Sequence, residues 1–278
     1  MKRILVPTDL SQEAYHALHL ACQIAEKANA EIRLLHIVEH PKRVLLNTSG
    51  QIDLEEPEEN VFIKELISGT KGQMEQMAKR YQHIPIKIDV HIGEAETNVS
   101  QNIVKGDQEL IVMGTQGGYE KGVGSNTVKV VREATCPVIT VKRRVYLSDL
   151  KEIVLATNLR EEEPHVISAL KEMQEMLEAR IHLLKVITAN DLPADEANQE
   201  LMGDFIKKYR LRNCDHSFIN APTEEEGVIK FTSNRPNSII ALGTHGRKGL
   251  AHIINGSVAE DLAHHASSPV WTCHIIKA

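Results

Sequence analysis

The chain has 278 residues, 42% hydrophobic and 25% charged, with 32 Lys and Arg against 38 Asp and Glu for a net charge of −6. That balance leaves no basic footprint for nucleic acid, and 4% aromatic residues leave few rings on which bases could stack. The length suits two cores of about 140 residues each, and no stretch approaches the roughly 20 apolar residues of a membrane helix.

At the N-terminus, Met-Lys-Arg-Ile-Leu-Val-Pro has an apolar run too short for a signal peptide. Cys22, Cys136, Cys214 and Cys273 are far apart and show neither CxxC nor Cys/His ligand spacing. The expectation is a reduced, cytoplasmic protein without structural zinc.

In chain order, Arg3 to Val6 reads as a strand. Ser11 suits an N-cap, with Glu13 nearby, for a helix over Ala14 to Ala28 whose apolar positions Leu18, Ala21, Ile24 and Ala25 recur at helical spacing. Strands follow at Glu31 to Val38, Ile86 to Ile92, Leu110 to Met113 and Val138 to Val141, with helices at Val61 to Gln82, Ala95 to Val104 and Thr127 to Glu133. A linker over roughly Arg143 to Lys151 leads to a second series of strands near Glu152 to Leu155, Ile181 to Val186, His216 to Asn220, Ile239 to Leu242 and Val270 to His274. Strands separated by helices imply right-handed crossovers and a parallel sheet covered on both faces.

The two series are copies. Ile4 to Asp9 (Ile-Leu-Val-Pro-Thr-Asp) matches Ile153 to Asn158 (Ile-Val-Leu-Ala-Thr-Asn), and Leu34 to Ile37 matches Leu183 to Val186, both 149 residues apart. Val-Met-Gly-Thr-Gln-Gly at Val112 to Gly117 matches Ala-Leu-Gly-Thr-His-Gly at Ala241 to Gly246, and each runs through a Gly-Ser pair to a Pro-Val, at Pro137-Val138 and Pro269-Val270. A repeat of this length means a duplicated domain. The expected domains are 1–145 and 150–278. The first carries 20 extra residues between its second strand and its glycine motif. Within them, Val44 to Asn60, with the acidic run Glu55 to Glu59, reads as a solvated loop rather than a core element, or as a lid over the first domain's site.

Each glycine motif follows a strand directly and so lies at the sheet's carboxyl edge, where open parallel sheets bind ligands. Glycines permit close backbone approach, and a loop feeding a helix N-terminus offers N–H groups to an anion. Gly243 and Gly246 open the second loop; Gly256 and Ser257 close it where a helix from Val258 to His265 begins. Such an arrangement suits a phosphate, or merely shapes a tight connection.

The spacing Gly243-x2-Gly246-x9-Gly256-Ser257, the Pro-Thr-Asp start and the closing Pro-Val strand resemble the universal stress protein family in its tandem form, over nearly the whole chain. That resemblance implies an α/β fold of two Rossmann-like, adenine-nucleotide-alpha-hydrolase-like domains, each a five-stranded parallel sheet with helices on both faces. It also implies ATP, with or without Mg²⁺, across the carboxyl edge. The phosphate loop maps onto Gly243, Gly246, Gly256, Ser257 and Val258, with Gly114, Gly117, Gly124 and Ser125 in the first half. The segment after the first strand maps onto Pro7 and Asp9, and onto Thr157 and Asn158; the adenine-contacting backbone maps onto Ile37 and Val186. Family members pair through their last strands, so Val138 to Val141 is expected to face Val270 to His274. A homodimer would then use another surface, and a protein partner goes unnamed.

Each half departs from the pattern once. The first has six residues, 118 to 123, where the family has nine, and the second has Asn158 for the aspartate. An amide still hydrogen-bonds a ribose or an adenine edge, whereas a deletion of three residues moves the donors by several ångströms. The second half is therefore the better expected site. Asp9 has a plain alternative as a cap of the first helix.

Other chemistry finds less support. His264 and His265 point about 100° apart on a helix, and a third ligand beside His245 or His252 is missing, so no metal site is expected. Ser125 and Ser257 lack a nucleophile elbow and an evident base, and Lys121 and Lys248 sit within the loops rather than at a Walker position. The expectation is a stress-response sensor that binds an adenine nucleotide, with at most slow hydrolysis. The alternative is an interaction or small-molecule scaffold with degenerate sites.

Overall fold

The protein's computed structural model describes residues 1–39, 45–46, 52–53, 57–93, 103, 106–115, 125–159, 164–189, 191, 196–244 and 257–274. The first half contains strands β1 (Arg3–Pro7), β2 (Glu31–Glu39), β3 (Leu45–Leu46), β4 (Ile52–Asp53), β5 (Ile86–Gly93), β6 (Leu110–Gly114) and β7 (Val138–Val141), with helices α1 (Gln12–Ala28), α2 (Pro57–Ala78) and α3 (Ser125–Glu133). The second contains β8 (Glu152–Ala156), β9 (Arg180–Ile187), β10 (Cys214–Asn220), β11 (Ser238–Thr244) and β12 (Val270–His274), with α4 (Pro164–Leu177), α5 (Glu196–Tyr209), α6 (Glu224–Ser233) and α7 (Ser257–His265).

Ten of these strands form one sheet in the order β10-β9-β8-β11-β12-β7-β6-β1-β2-β5, and β3 and β4 form a separate two-stranded sheet. Each half is a parallel five-stranded sheet of the doubly wound type, its strand order reversing beside β1 in the first half and beside β8 in the second. Among the described residues, the halves join through the one antiparallel pairing of the large sheet, β7 with β12, in the register Val270 to Thr140, Trp271 to Ile139 and Thr272 to Val138. The last strands thus face each other within one chain, as the sequence led us to expect.

Side chains alternate between the two faces because the strand period is two. Ile4, Val6, Ile32 and Leu34 point to one apolar layer with Leu18 and Ile24 of α1 and Met74 of α2; Leu170 of α4 and Met202 of α5 join the same layer from the second half. Leu5, Leu35 and Ile111 point to the other layer, with Val130 of α3, Val228 of α6 and Leu262 of α7. Both layers cross the junction. Trp271, the sole tryptophan, is 2% exposed there and shares a layer with Ile139. Arg132 of α3 holds Glu260 of α7 on the opposite face (Nε to Oε1 2.9 Å), and Lys27 of α1 reaches Glu178 beyond α4 (2.7 Å).

The linker is docked onto α1. Gln23 donates to the Val145 carbonyl (3.3 Å) and accepts from the Leu147 N–H (2.9 Å), so one amide satisfies two linker groups.

Two expectations need correction. Val44 to Asn60 is not simply a loop: β3 and β4 pair antiparallel, Leu45 with Asp53 and Leu46 with Ile52, and α2 begins at Pro57, which suits a first helical turn. That helix ends at Ala78, short of Gln82, and a 3₁₀ turn over Lys79–Tyr81 follows. The expected helix at Ala95 to Val104 lies outside the described residues, except for buried Ile103.

Candidate functional site

The carboxyl edge beside each switch point is built from one turn made twice. In the first half, Thr8 Oγ1 accepts from the Leu10 N–H (3.0 Å); in the second, Thr157 Oγ1 accepts from the Leu159 N–H (3.1 Å). Leu10 and Leu159 both have φ of 66°. A left-handed leucine costs on the order of 1–2 kcal/mol, and here the packing of both side chains against the core offsets it. The same strained corner therefore survives in both copies, turning the chain sharply and setting Asp9 and Asn158 at equivalent places.

Asp9 is exposed, and its Oδ1 accepts from the Ser11 N–H (2.9 Å). The cap of α1 is Ser11, whose hydroxyl accepts from the Ala14 N–H (3.2 Å). Asp9 therefore holds the turn before the helix and does not cap it, which corrects the capping alternative. Pro7 ends β1, and Thr157 and Asn158 follow β8.

One position further along the edge distinguishes the halves. His36 Nδ1 lies 2.7 Å from the Thr8 carbonyl oxygen and braces the turn. Its counterpart Lys185 is a buried ammonium bonded to Asp191 Oδ1 (2.7 Å), while Asp191 Oδ2 accepts from the N–H (3.0 Å) and hydroxyl (2.8 Å) of Thr188. Glu224, in the first turn of α6, is pushed up to about 7 by burial, which outweighs the attraction of Lys185; Asp191 adds to the rise. Asp191 itself stays below the usual carboxylate range: burial works against this, but the Lys185 and Thr188 bonds win. Sequence reading missed this acid–base group. Its signal was a lysine set within the apolar run Leu183 to Ile187, a place lysine occupies only when paired.

The expected adenine-contacting positions differ in exposure. Ile37 is half-buried, whereas Val186 is 6% exposed and lies under α6, where a Cβ on Gly227 would come within 2.5 Å of Val186 Cγ1. Only the Val186 main chain is left for a ligand. Gly114 has a packing reason of its own: a Cβ there would meet Glu13 C at 2.4 Å and Ala14 N at 2.6 Å. The first turn of α1 can lie against β6 only because the residue is glycine.

Thr115 follows Gly114; its N–H donates to the Val141 carbonyl (3.0 Å), while its buried hydroxyl has no partner among the described residues. An orphaned hydroxyl at this edge fits a polar ligand group. Gly243 stands at the equivalent place as the penultimate residue of β11, one residue before Thr244. α3 starts at Ser125 and α7 at Ser257, with Val258 half-buried in the first turn of α7. Both helix N-termini follow glycine loops, and the dipole there favours anions. Gly117, Gly124, Gly246 and Gly256, with His245, His252, Lys121 and Lys248, lie outside the described residues. His265 Nδ1 contacts Glu225 Oε1 (2.6 Å), joining α7 to α6. Among the described residues no cluster of three metal-ligating side chains occurs and no helix is long and apolar enough to cross a membrane.

Comparison with known proteins agrees with this architecture. The universal stress protein family pattern matches residues 1–142 and again 150–274. A universal stress protein of Synechocystis is 22% identical over 98% of this chain and 99% of its own length, and one from Methanocaldococcus jannaschii is 30% identical over 51% of this chain and 82% of its own. The crystal structure of a universal stress protein from Archaeoglobus fulgidus superposes with a TM-score of 0.68 at 18% identity, covering 98% of each chain. With two matches spanning both halves, the chain belongs to the universal stress protein family as a tandem, two-domain member.

Proposed function

We propose that the protein binds one adenine nucleotide, ATP with or without Mg²⁺, at the carboxyl edge of its second half, and that occupancy sets its conformation or its choice of protein partner in a cytoplasmic stress response. The observation that carries this reading is the Gly243-x2-Gly246-x9-Gly256-Ser257 spacing between the end of β11 and the start of α7, at that half's switch point. In this reading Gly243, Gly246, Gly256, Ser257 and the Val258 N–H hold the phosphates. Thr157 and Asn158 hold the ribose, and the Val186 main chain reads the adenine edge.

The first half keeps Pro7, Asp9, Ile37, Gly114, Gly117, Gly124 and Ser125, but its loop is three residues shorter. It serves as the weaker or silent partner. The domain limits proposed are 1–145 and 150–278. Mg²⁺, when present, would neutralise phosphate charge, and the protein's own contribution is to bind and orient. Titration calorimetry of ATP into wild type, Gly117→Val and Gly246→Val tests the reading. Binding kept by Gly117→Val and lost by Gly246→Val supports it; the reverse pattern moves the site to the first half and refutes it.

A further inference from the structure

β5 is an outer strand of the ten-stranded sheet, and among the described residues no strand pairs with its far side. Its free backbone groups follow from the ladder. Ile32 N donates to the Pro85 carbonyl (2.8 Å) while Ile32 stands opposite Ile86, so Lys87, Asp89 and His91 turn their main-chain groups towards β2. Ile86, Ile88 and Val90 therefore turn theirs outward. An open edge of this length is a template for another strand.

Side chains along this edge are self-complementary. Lys87 is 77% exposed and Asp89 18%, with the Asp89 carboxylate already held by Arg33 Nε at 2.6 Å. Suppose a second copy pairs antiparallel about a two-fold axis through Ile88. Ile88 then faces its own copy and Ile86 faces Val90, all three in hydrogen-bonded positions. Each Lys87 stands opposite Asp89 of the second copy in the closer, non-hydrogen-bonded positions. A register centred one residue to either side would instead set Lys87 against Lys87 or Asp89 against Asp89. Charge thus selects one register.

The other outer strand, β10, lacks this pattern: centred on His216, Asp215 would face Ser217. Beside β5, a groove of about 490 Å³ runs along α2, lined by Glu75, Gln76, Lys79, Tyr81, Ile84 and Ile86. Farther along α2, Phe62 is 64% and Leu66 39% exposed. A two-fold normal to the sheet places both α2 helices on the same face, the solution the chain already uses at its centre, where β7 meets β12 under α3 and α7.

We propose that β5 is a homodimer interface, with two copies pairing antiparallel about Ile88 through reciprocal Lys87–Asp89 contacts into a continuous twenty-stranded sheet. Sedimentation velocity of the full chain, from micromolar to sub-millimolar concentration, tests it. Wild type should show a concentration-dependent dimer. Lys87→Asp and Asp89→Lys should each weaken it about tenfold or more by setting like charges opposite each other, and a mixture of the two should recover it, since both contacts are then opposite in sign. Val90→Pro removes an outward N–H without touching the β2 ladder and should also dissociate the dimer. Circular dichroism confirms that each variant is folded. A wild type that stays monomeric, a dimer indifferent to Lys87→Asp and Val90→Pro, or open-ended growth of the kind a β5–β10 contact would give, each overturns the proposal.

Discussion

The burial of Val186 under Gly227 makes a quantitative prediction. In Gly227→Ala the new methyl would lie 2.5 and 2.8 Å from the Val186 methyls and 3.1 Å from Ala221 Cβ. Overpacking of this kind costs about 1–3 kcal/mol, while alanine in place of glycine within α6 returns about 1 kcal/mol. The net loss should be about 0–2 kcal/mol. Val186→Ala alone removes two buried methyls, at about 0.8 kcal/mol each plus a cavity term, for about 2 kcal/mol. In the double variant the methyl at 227 occupies the vacated space, so the total loss should be about 1 kcal/mol instead of the additive sum of about 2–4. Urea unfolding followed by far-ultraviolet circular dichroism reads all four corners of the cycle. Additivity within about 0.5 kcal/mol would refute the packing of α6 on Val186.

Further expectations follow from the same physics. Gly114→Ala presses a methyl into the main chain of α1, which no side-chain truncation relieves, and should cost about 2–3 kcal/mol in the same assay. Burial raises Glu224 above the ordinary carboxylate value, so the folded state prefers it protonated and stability is lost as pH rises through about 7. Glu224→Gln should therefore be more stable relative to wild type at pH 8.5 than at pH 5, and an equal difference at both would contradict this. His19, His91 and His182 are all held below their ordinary value, chiefly by burial. Their contribution is whole above about pH 6.5 and declines as pH falls, because the unfolded chain then binds protons that the fold refuses. In a Glu224→Gln background, which removes the opposing carboxyl contribution, unfolding midpoints measured between pH 7.5 and 5 should fall, and substituting His182 by Gln should flatten that slope.

The duplication was legible because it rests on patterns that repeat, apolar runs of strand length and Pro-Val at a fixed distance from Gly-Ser, whereas the last-strand pairing was expected only from the family resemblance those patterns carry. The strained Leu10 and Leu159 were not, since nothing marks a leucine as left-handed; only the packing of its side chain forces the corner. Gly227 carried no signal either, because its smallness answers a contact from Val186, 41 residues away in the chain. Pro57 hid the start of α2 inside an acidic run that reads as solvated loop, although proline and acids are what a first helical turn favours. At the site, Asp9 follows the first strand as the repeat implies, but its work on the Ser11 N–H depends on a turn that only the folded chain displays.

The most direct test of the account is to denature the protein as purified, identify the released small molecules by mass spectrometry, and repeat this for a Gly246→Val, Ser257→Ala variant. About one adenine nucleotide per chain from wild type, and none from the variant, is the predicted result for a single site in the second half. An adenine nucleotide retained in full by the variant, or no nucleotide from wild type and no binding heat when ATP is added, would contradict it.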